Sequence, residues 1–239
     1  MAEFDKTQWS EKDFAYGYLE AADIYIVERR RFLEILKSFY THFLGVKKQN
    51  RVLDLGCGDG ILVHELLKID DSISATLIDG SEDMLNKAKE RLAGFKNIQF
   101  IRSSFQELLH TDLHLPDFDL VVSSLAIHHL TLDEKKSLFS YIYSHLNPCG
   151  YFVNIDVILP PTERLENWYL QLWKEQIIET QTALKLEGNY GDIIGKYKES
   201  RDNKPDTLSD QLNALKDLGF RDVDCFYKYG IFTIFGGKK

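Results

Sequence analysis

The sequence predicts an α/β fold with a mostly parallel sheet and helices on both of its faces. Helical patterns separate five short apolar segments with strand character, which are residues 51–55, 74–78, 97–101, 118–123 and 150–157. Strands that alternate with helices pair in parallel through right-handed crossovers. The size agrees, because 239 residues, 44% of them hydrophobic and 28% charged, are typical of one soluble globular domain.

A glycine-rich loop follows the first predicted strand. Asp54 ends that strand, and the loop has glycine at alternate positions, Gly56, Gly58 and Gly60. Glycine lets the backbone turn sharply and approach a ligand closely because it has no Cβ. A dinucleotide loop has the spacing G-x-G-x-x-G, whose third glycine would fall at Ile61, and it seats a pyrophosphate that Asp54 would repel. A cofactor with a cationic amino group and no phosphate fits better, so we expect S-adenosylmethionine (SAM) rather than NAD.

The end of the second predicted strand carries the next binding signal. Asp79 lies 25 residues after Asp54. An acidic residue at this place can accept both ribose hydroxyls of a nucleoside. Gly80 then turns the chain, and Ser81 can cap a helix whose residue Met84 would contact the adenine ring.

These segments and three further motifs resemble the class I SAM-dependent methyltransferases over roughly residues 45–160. Residues 119–124, followed by 125–130, are similar to the fourth-strand motif of that family. Residues 146–150 are similar to its L-x-P-G-G turn, with Cys149 replacing one glycine. The resemblance implies a Rossmann-like, seven-stranded sheet with an antiparallel last strand, closed by strands at 222–228 and 231–235. It also implies SAM as cofactor and S-adenosylhomocysteine (SAH) as product.

The resemblance also implies the cofactor-binding residues. Many members of the family carry Gly-Asp after the third strand, where this chain has Ser103-Ser104-Phe105. We expect Ser104 to bond the adenine edge without a charge and Phe105 to contact the ring. The predicted cofactor-binding residues are Asp54, Gly56, Cys57, Gly58, Asp79, Gly80, Met84, Ser104, Phe105 and Ser124.

His128 and His129 follow the fourth strand and are the predicted catalytic residues. Histidine has a pKa suited to removing a proton from a methyl acceptor near neutral pH. Adjacent residues point in different directions, so the sequence leaves open which histidine faces the substrate. Asp156, at the end of the fifth strand, is a further candidate for substrate contact, the alternative being a structural hydrogen bond.

Two segments lie outside the shared core and divide the chain into parts of a single domain. We expect a helical cap at 1–44, a cofactor-binding core at 45–159, a helical lid insertion at 160–206 and a closing helix and hairpin at 207–239. Both extensions are rich in aromatic residues. These aromatics could line a partly apolar substrate pocket or pack the two extensions together. We expect a lid that excludes water.

The cap carries candidates for binding the carboxylate of the cofactor. Arg29, Arg30 and Arg31 would usually form a solvated helix face, although the first helix passes the methionine end of SAM in related enzymes. Tyr16, Tyr18 and Tyr25 are similar candidates.

Charge and cysteine content limit the other functions. The net charge of −8 disfavours non-specific nucleic-acid binding. The chain has no apolar run of about 18 residues and no signal-peptide pattern, so no membrane association is expected. Its three cysteines form no C-x-x-C pair, which favours a reduced, cytoplasmic setting without a metal site. Oligomeric state stays open, a homodimer included.

Three functions follow from these observations. The leading hypothesis is a SAM-dependent methyltransferase acting on a small molecule, at oxygen, nitrogen, sulfur or carbon. The C-terminal portion, with Tyr190, Lys198 and residues 210–212 before Gly219, also resembles the branch with the carboxy-SAM synthases of tRNA modification. The second hypothesis is therefore an enzyme of that type. Those enzymes hold an extra cofactor carboxylate with an arginine. Glu199 aligns with that arginine, although Lys198 and Arg201 are close to it. The third hypothesis is a non-catalytic SAM-binding protein, and an NAD-linked reductase is the least favoured.

Overall fold

A computed structural model describes residues 4–111 and 113–239, and its described part contains one seven-stranded sheet. The strand order is β3-β2-β1-β4-β5-β7-β6. Strands β1 to β5 are parallel, whereas β7 is antiparallel to β5 and β6. The prediction of a mostly parallel sheet with an antiparallel last strand is therefore confirmed. In chain order the strands are β1 (Arg51–Leu55), β2 (Ser74–Asp79), β3 (Ile98–Arg102), β4 (Phe118–Ser124), β5 (Leu146–Val157), β6 (Arg221–Tyr229) and β7 (Phe232–Lys238).

Helices fill the connections and both extensions. They are α1 (Lys12–Glu20), α2 (Ala22–Tyr25), α3 (Arg29–Phe43), α4 (Ile61–Leu67), α5 (Glu82–Leu92), α6 (Phe105–His110), α7 (Leu132–His145), α8 (Glu163–Leu184), α9 (Asp192–Glu199) and α10 (Leu208–Asp217). The helical pattern at 11–44 is interrupted between α2 and α3, where Glu28 adopts a left-handed conformation with φ 59°. None of the described helices is long and apolar enough to cross a membrane.

Helix starts follow from local side-chain chemistry. The Ser81 hydroxyl accepts a hydrogen bond from the Met84 backbone N–H at 3.3 Å, as predicted. Ser104 and Thr131 each form a reciprocal capping box with a glutamate three residues later. Such caps satisfy backbone donors that have no partner inside the helix. They fix where α5, α6 and α7 begin, and therefore the loops that precede them.

The core lies on both faces of the sheet because successive strand residues point to opposite sides. Val52 packs in one apolar cluster, with helices α3, α4, α5 and α8. Its neighbour Leu53 packs in the other, with α6, α7 and α10. Both side chains are fully buried. The sheet is thus covered on both faces, and its edge at the carboxyl ends of the parallel strands is left for a ligand.

The first part of β5 carries a strained residue. Cys149 has φ 69° in the segment that resembles the L-x-P-G-G turn. This left-handed conformation is readily adopted by glycine but costs energy for a residue with a Cβ. The cysteine therefore occupies a position whose backbone geometry favours glycine.

Candidate cofactor and active site

A cavity of about 430 Å³ opens at the carboxyl ends of the parallel strands. Its volume lies in the usual range for a small-molecule site, roughly 300 to 1,000 Å³. Its walls come from the glycine loop, the end of β2, residues 103–106, residues 124–126, residues 129–130 and two covering segments. The covering segments lie at the two extensions of the chain, near residues 4–9 and 201–204.

The glycine loop forms the floor of the cavity, and its glycines serve different purposes. Gly56, Gly58 and Gly60 all have left-handed φ angles, of 66°, 52° and 73°. A Cβ on Gly56 would lie 2.4 Å from the Ala126 Cβ, so this glycine allows close packing. A Cβ on Gly58 would meet no atom within 4 Å, and Gly58 lines the cavity. Gly58 therefore gives a ligand direct access to the backbone. Cys57 also lines the cavity.

Asp79 stands beside this loop with its carboxylate fixed by two backbone donors. One oxygen accepts the Gly58 N–H and the other accepts the Ser81 N–H, each at 2.8 Å. A carboxylate has about four acceptor positions, so two stay available toward the cavity. Burial raises the pKa of Asp79, while the two N–H donors act in the opposite direction. This geometry fits the predicted acceptance of two ribose hydroxyls.

Asp54 lies fully buried beneath the loop and does not line the cavity. Neither of its carboxylate oxygens has a hydrogen-bond partner among the described residues. Burial raises the pKa of Asp54 well above its usual range, and the carboxylates of Asp79 and Asp59 act in the same direction. A cation bound above the loop would favour the ionised form of this carboxyl. Asp54 therefore suits the cationic amino group of SAM through its charge and not through a direct contact.

The residues predicted around the adenine ring line the cavity, together with one residue that was not predicted. Gly80, Met84, Ser104 and Phe105 all line the cavity. The Ser104 Oγ accepts the Glu107 N–H at 3.2 Å and donates to its carboxylate at 3.0 Å. Only one acceptor position of this hydroxyl is left, so its contact with adenine would have to accept the adenine amine. The ring of Phe4, which no sequence motif marked, closes on Gly80.

The candidates for the methionine end separate clearly. Ser124, Tyr18 and Arg29 line the cavity. Arg29 is paired with Asp23 beside it, whereas Arg30 and Arg31 pair with Glu34 on the exposed face of α3. Tyr16 and Tyr25 do not line the cavity: the Tyr16 ring lies beside Lys12 and Lys87, and the Tyr25 ring lies 5.8 Å from Tyr18.

The two histidines point to different partners. His128 Nδ1 lies 2.6 Å from Asp156 Oδ1, both side chains are buried, and His128 does not line the cavity. His129 does line the cavity, and its Nδ1 lies 3.0 Å from the carbonyl oxygen of Asp202. A carbonyl only accepts, so the hydrogen of a neutral His129 is on Nδ1 and Nε2 carries the lone pair. This buried Nε2 has no partner in the described chain.

Burial and the neighbouring His128 lower the pKa of His129 well below its ordinary value. The side chain is therefore neutral near pH 7. A neutral imidazole with a free Nε2 lone pair can accept a proton or a hydrogen bond from a bound molecule.

Hydrogen bonds from backbone and side-chain groups hold the covering segments over these groups. The Gln8 N–H donates to Asp202 Oδ2 at 3.2 Å and so joins the two segments. The Lys204 N–H donates to the His128 carbonyl at 2.8 Å. The fully buried Lys135 of α7 donates to the Lys204 carbonyl and pairs with Asp206. The sequence predicted a lid at 160–206 but not which of its residues border the site, because these contacts span up to 194 positions along the chain.

Comparison with known proteins identifies the family. Residues 52–150 match a family model described as a methyltransferase domain. A carboxy-S-adenosyl-L-methionine synthase of Nautilia profundicola is 23% identical over 207 residues, which cover 85% of this chain and 80% of that protein. A phosphoethanolamine N-methyltransferase of Plasmodium falciparum is 30% identical over 175 residues, which cover 72% of this chain and 62% of that protein.

Solved structures agree at the level of the fold. An O-methyltransferase family protein of Burkholderia thailandensis has a TM-score of 0.68 at 11% identity, covering 98% of this chain and 62% of that one. Phosphoethanolamine N-methyltransferase 2 of Haemonchus contortus, in complex with SAM, has a TM-score of 0.61 at 18% identity, covering 92% and 44%. The chain thus spans less than two thirds of the length of these structures. With its methyltransferase-domain match, its sheet order and its glycine loop, it belongs to the class I SAM-dependent methyltransferases.

Proposed function

We propose that this protein transfers the sulfonium methyl group of SAM to a small-molecule acceptor held next to His129. The observation that carries the proposal is that His129, whose Nε2 has no hydrogen-bond partner among the described residues, lines the same cavity as Asp79 and the glycine loop. SAM supplies the electrophilic methyl group, so the protein has mainly to align the acceptor and exclude water.

Each residue then has a defined task. Asp79 holds the ribose, and the loop at Gly58 admits the methionine part, whose carboxylate lies toward Arg29. His129 accepts the proton of an acceptor that carries one, or orients its reacting atom by a hydrogen bond. His128 is a positioning residue, because it is bonded to Asp156 and its carbonyl holds Lys204.

The two extensions serve as the cover of this site. We assign residues 1–44 to a cap, 45–159 to the cofactor-binding core, 160–206 to a lid and 207–239 to the closing helix and hairpin. Support comes from the Gln8–Asp202 hydrogen bond and from Trp173, whose Nε1 donates to the Tyr25 carbonyl at 2.8 Å. Many of the aromatic residues therefore pack the extensions together, while Phe4, Trp9 and Tyr18 face the cavity.

The first test is calorimetric titration with SAM and SAH, followed by a screen of small acceptors that detects SAH release. We expect both ligands to bind and turnover to fall in His129→Gln. His42→Gln is the matched control, because His42 is exposed on α3, away from the cavity. Full turnover of His129→Gln on a genuine substrate would refute the assigned role of His129. Absence of SAM and SAH binding would refute the function itself.

A second candidate function is that of a carboxy-SAM synthase-like enzyme of tRNA modification, and Arg201 favours it. Glu199 does not line the cavity, whereas Arg201 does, so a basic group is available for an added carboxylate. Native mass spectrometry of the purified protein distinguishes the two functions and also gives the oligomeric state. A bound ligand heavier than SAM by one carboxyl group would favour carboxy-SAM, and a ligand of the mass of SAM would favour methyl transfer.

We also propose that the protein works in a reducing, cytoplasmic compartment. Cys57, Cys149 and Cys225 are all free thiols. An odd number of unpaired cysteines suits such a setting. A shift in mass on treatment with a reductant would contradict this proposal.

A further inference from the structure

Three cationic side chains border the cavity without a partner of their own. Lys6, Arg201 and Lys204 all line it. Among the described residues none of their side-chain nitrogens has an ion pair or a hydrogen bond. Arg29, which also lines the cavity, is paired with Asp23. In a chain with a net charge of −8, unpaired cations gathered at one cavity call for an explanation.

The three cations are brought together by the contact between the covering segments. The Gln8 N–H bonds Asp202 Oδ2 at 3.2 Å, Lys6 lies two residues before Gln8, and Arg201 and Lys204 lie on either side of Asp202. The carbonyl of the same aspartate holds His129 Nδ1 at 3.0 Å. The three cations therefore line the same cavity as His129, and they belong to the two segments that Asp202 connects to each other and to His129.

Nearby acids do not cancel this charge. Asp79 belongs to the ribose position, and Asp59 is paired with Arg91. Asp202 accepts the Gln8 N–H. Against the effect of burial, hydrogen bonds from Gln106 and Thr131 and the charge of Lys204 lower the pKa of Glu134. With Asp79 assigned to the ribose and Asp59 paired with Arg91, the carboxylates that remain against the three cations are those of Asp202 and Glu134. This leaves an excess of one positive charge.

We propose that Lys6, Arg201 and Lys204 form a subsite for an anionic group, a carboxylate or a phosphate, on the methyl acceptor. The inference rests on the proposed methyl transfer and names the substrate class for that site. An arginine fork and two ammonium groups bind carboxylate and phosphate oxygens by charge-assisted hydrogen bonds. An acceptor held in this way would present its reacting atom to His129 Nε2 and to the cofactor.

The test is calorimetric titration of protein saturated with SAH, at constant ionic strength. The probes are inorganic phosphate and malonate. We expect at least one of them to bind, and Arg201→Gln and Lys204→Gln each to weaken that binding by about 30-fold, the effect of losing one charge-assisted hydrogen bond. Lys174→Gln is the matched control, because it removes a charge from an exposed position of α8 and should leave the affinity unchanged.

The outcomes separate this inference from the proposed function. Binding of phosphate alone would assign a phosphate-bearing acceptor, and binding of malonate alone a carboxylate-bearing one. If SAH binds but neither anion does, the subsite is refuted while methyl transfer stands. Anion affinity that Arg201→Gln and Lys204→Gln leave intact, or anions that compete with SAH, would also refute it. If SAH itself fails to bind, the proposed function is refuted.

Discussion

Asp79→Asn gives the most direct measure of the cofactor site. Each oxygen of the Asp79 carboxylate accepts one hydrogen bond from a backbone N–H, at 2.8 Å in both cases. The amide of asparagine has one oxygen and one NH₂ group. The NH₂ group would meet the N–H of either Gly58 or Ser81, two donors facing each other, and the side chain would offer the ribose fewer acceptor positions. Losing one charge-assisted hydrogen bond to the ligand costs about 2 kcal/mol, or about 30-fold in affinity.

Calorimetric titration with SAH measures this loss. Asp71→Asn is the matched control, because Asp71 is exposed and precedes the opposite end of β2. We expect the control to bind SAH as the wild-type protein does. A change of less than about threefold in Asp79→Asn would refute the ribose assignment, since less than 1 kcal/mol would then depend on this carboxylate. Circular dichroism of both variants separates a binding effect from unfolding.

Three further predictions concern stability and are measured by urea unfolding. The pKa of His129 is lowered in the folded protein, so on acidification the unfolded chain binds a proton before the folded protein does. Below about pH 6.5 the stability of the wild-type protein should therefore fall relative to that of His129→Gln, by up to about 1.4 kcal/mol per pH unit. Parallel curves of stability against pH for the two proteins would refute this. Cys149→Gly should stabilise the protein by about 0.5 to 1 kcal/mol, since relief of the left-handed strain outweighs the greater entropy of unfolded glycine; destabilisation would show that no strain is relieved. Lys135→Met should destabilise it by about 3 kcal/mol, because it removes a buried ammonium from Asp206 and the Lys204 carbonyl, and a neutral outcome would mean that this pair only balances its desolvation.

Most of the fold could be predicted because its signals are local. The strand of Asp54, the glycine loop, the strand ending at Asp79 and the cap at Ser81 each depend on a few consecutive residues, and the structure has them where the pattern indicates. Parallel order then follows from the alternation of strands and helices. The break at Glu28 was missed, because the helical periodicity of residues 11–44 continues on both sides of it.

Parts of the site needed the tertiary structure. The sequence could not say which histidine faces the substrate, since that depends on where Asp156 and the Asp202 carbonyl lie. It also gave Ser104 an adenine contact without showing that Glu107 already engages its hydroxyl.

By itself the sequence determined the α/β sheet and the cofactor class, and it predicted Asp79 as the acid for the ribose, because spacing within a short segment sets backbone shape and charge. Only the tertiary structure decided that His129 borders the cavity and His128 does not. It also brought Lys6, Arg201 and Lys204 into the lining of the same cavity as His129. The physical reason is distance along the chain: the Gln8–Asp202 and Lys135–Asp206 contacts join segments 194 and 71 residues apart, and such pairing arises only when the whole sheet and its covers pack together.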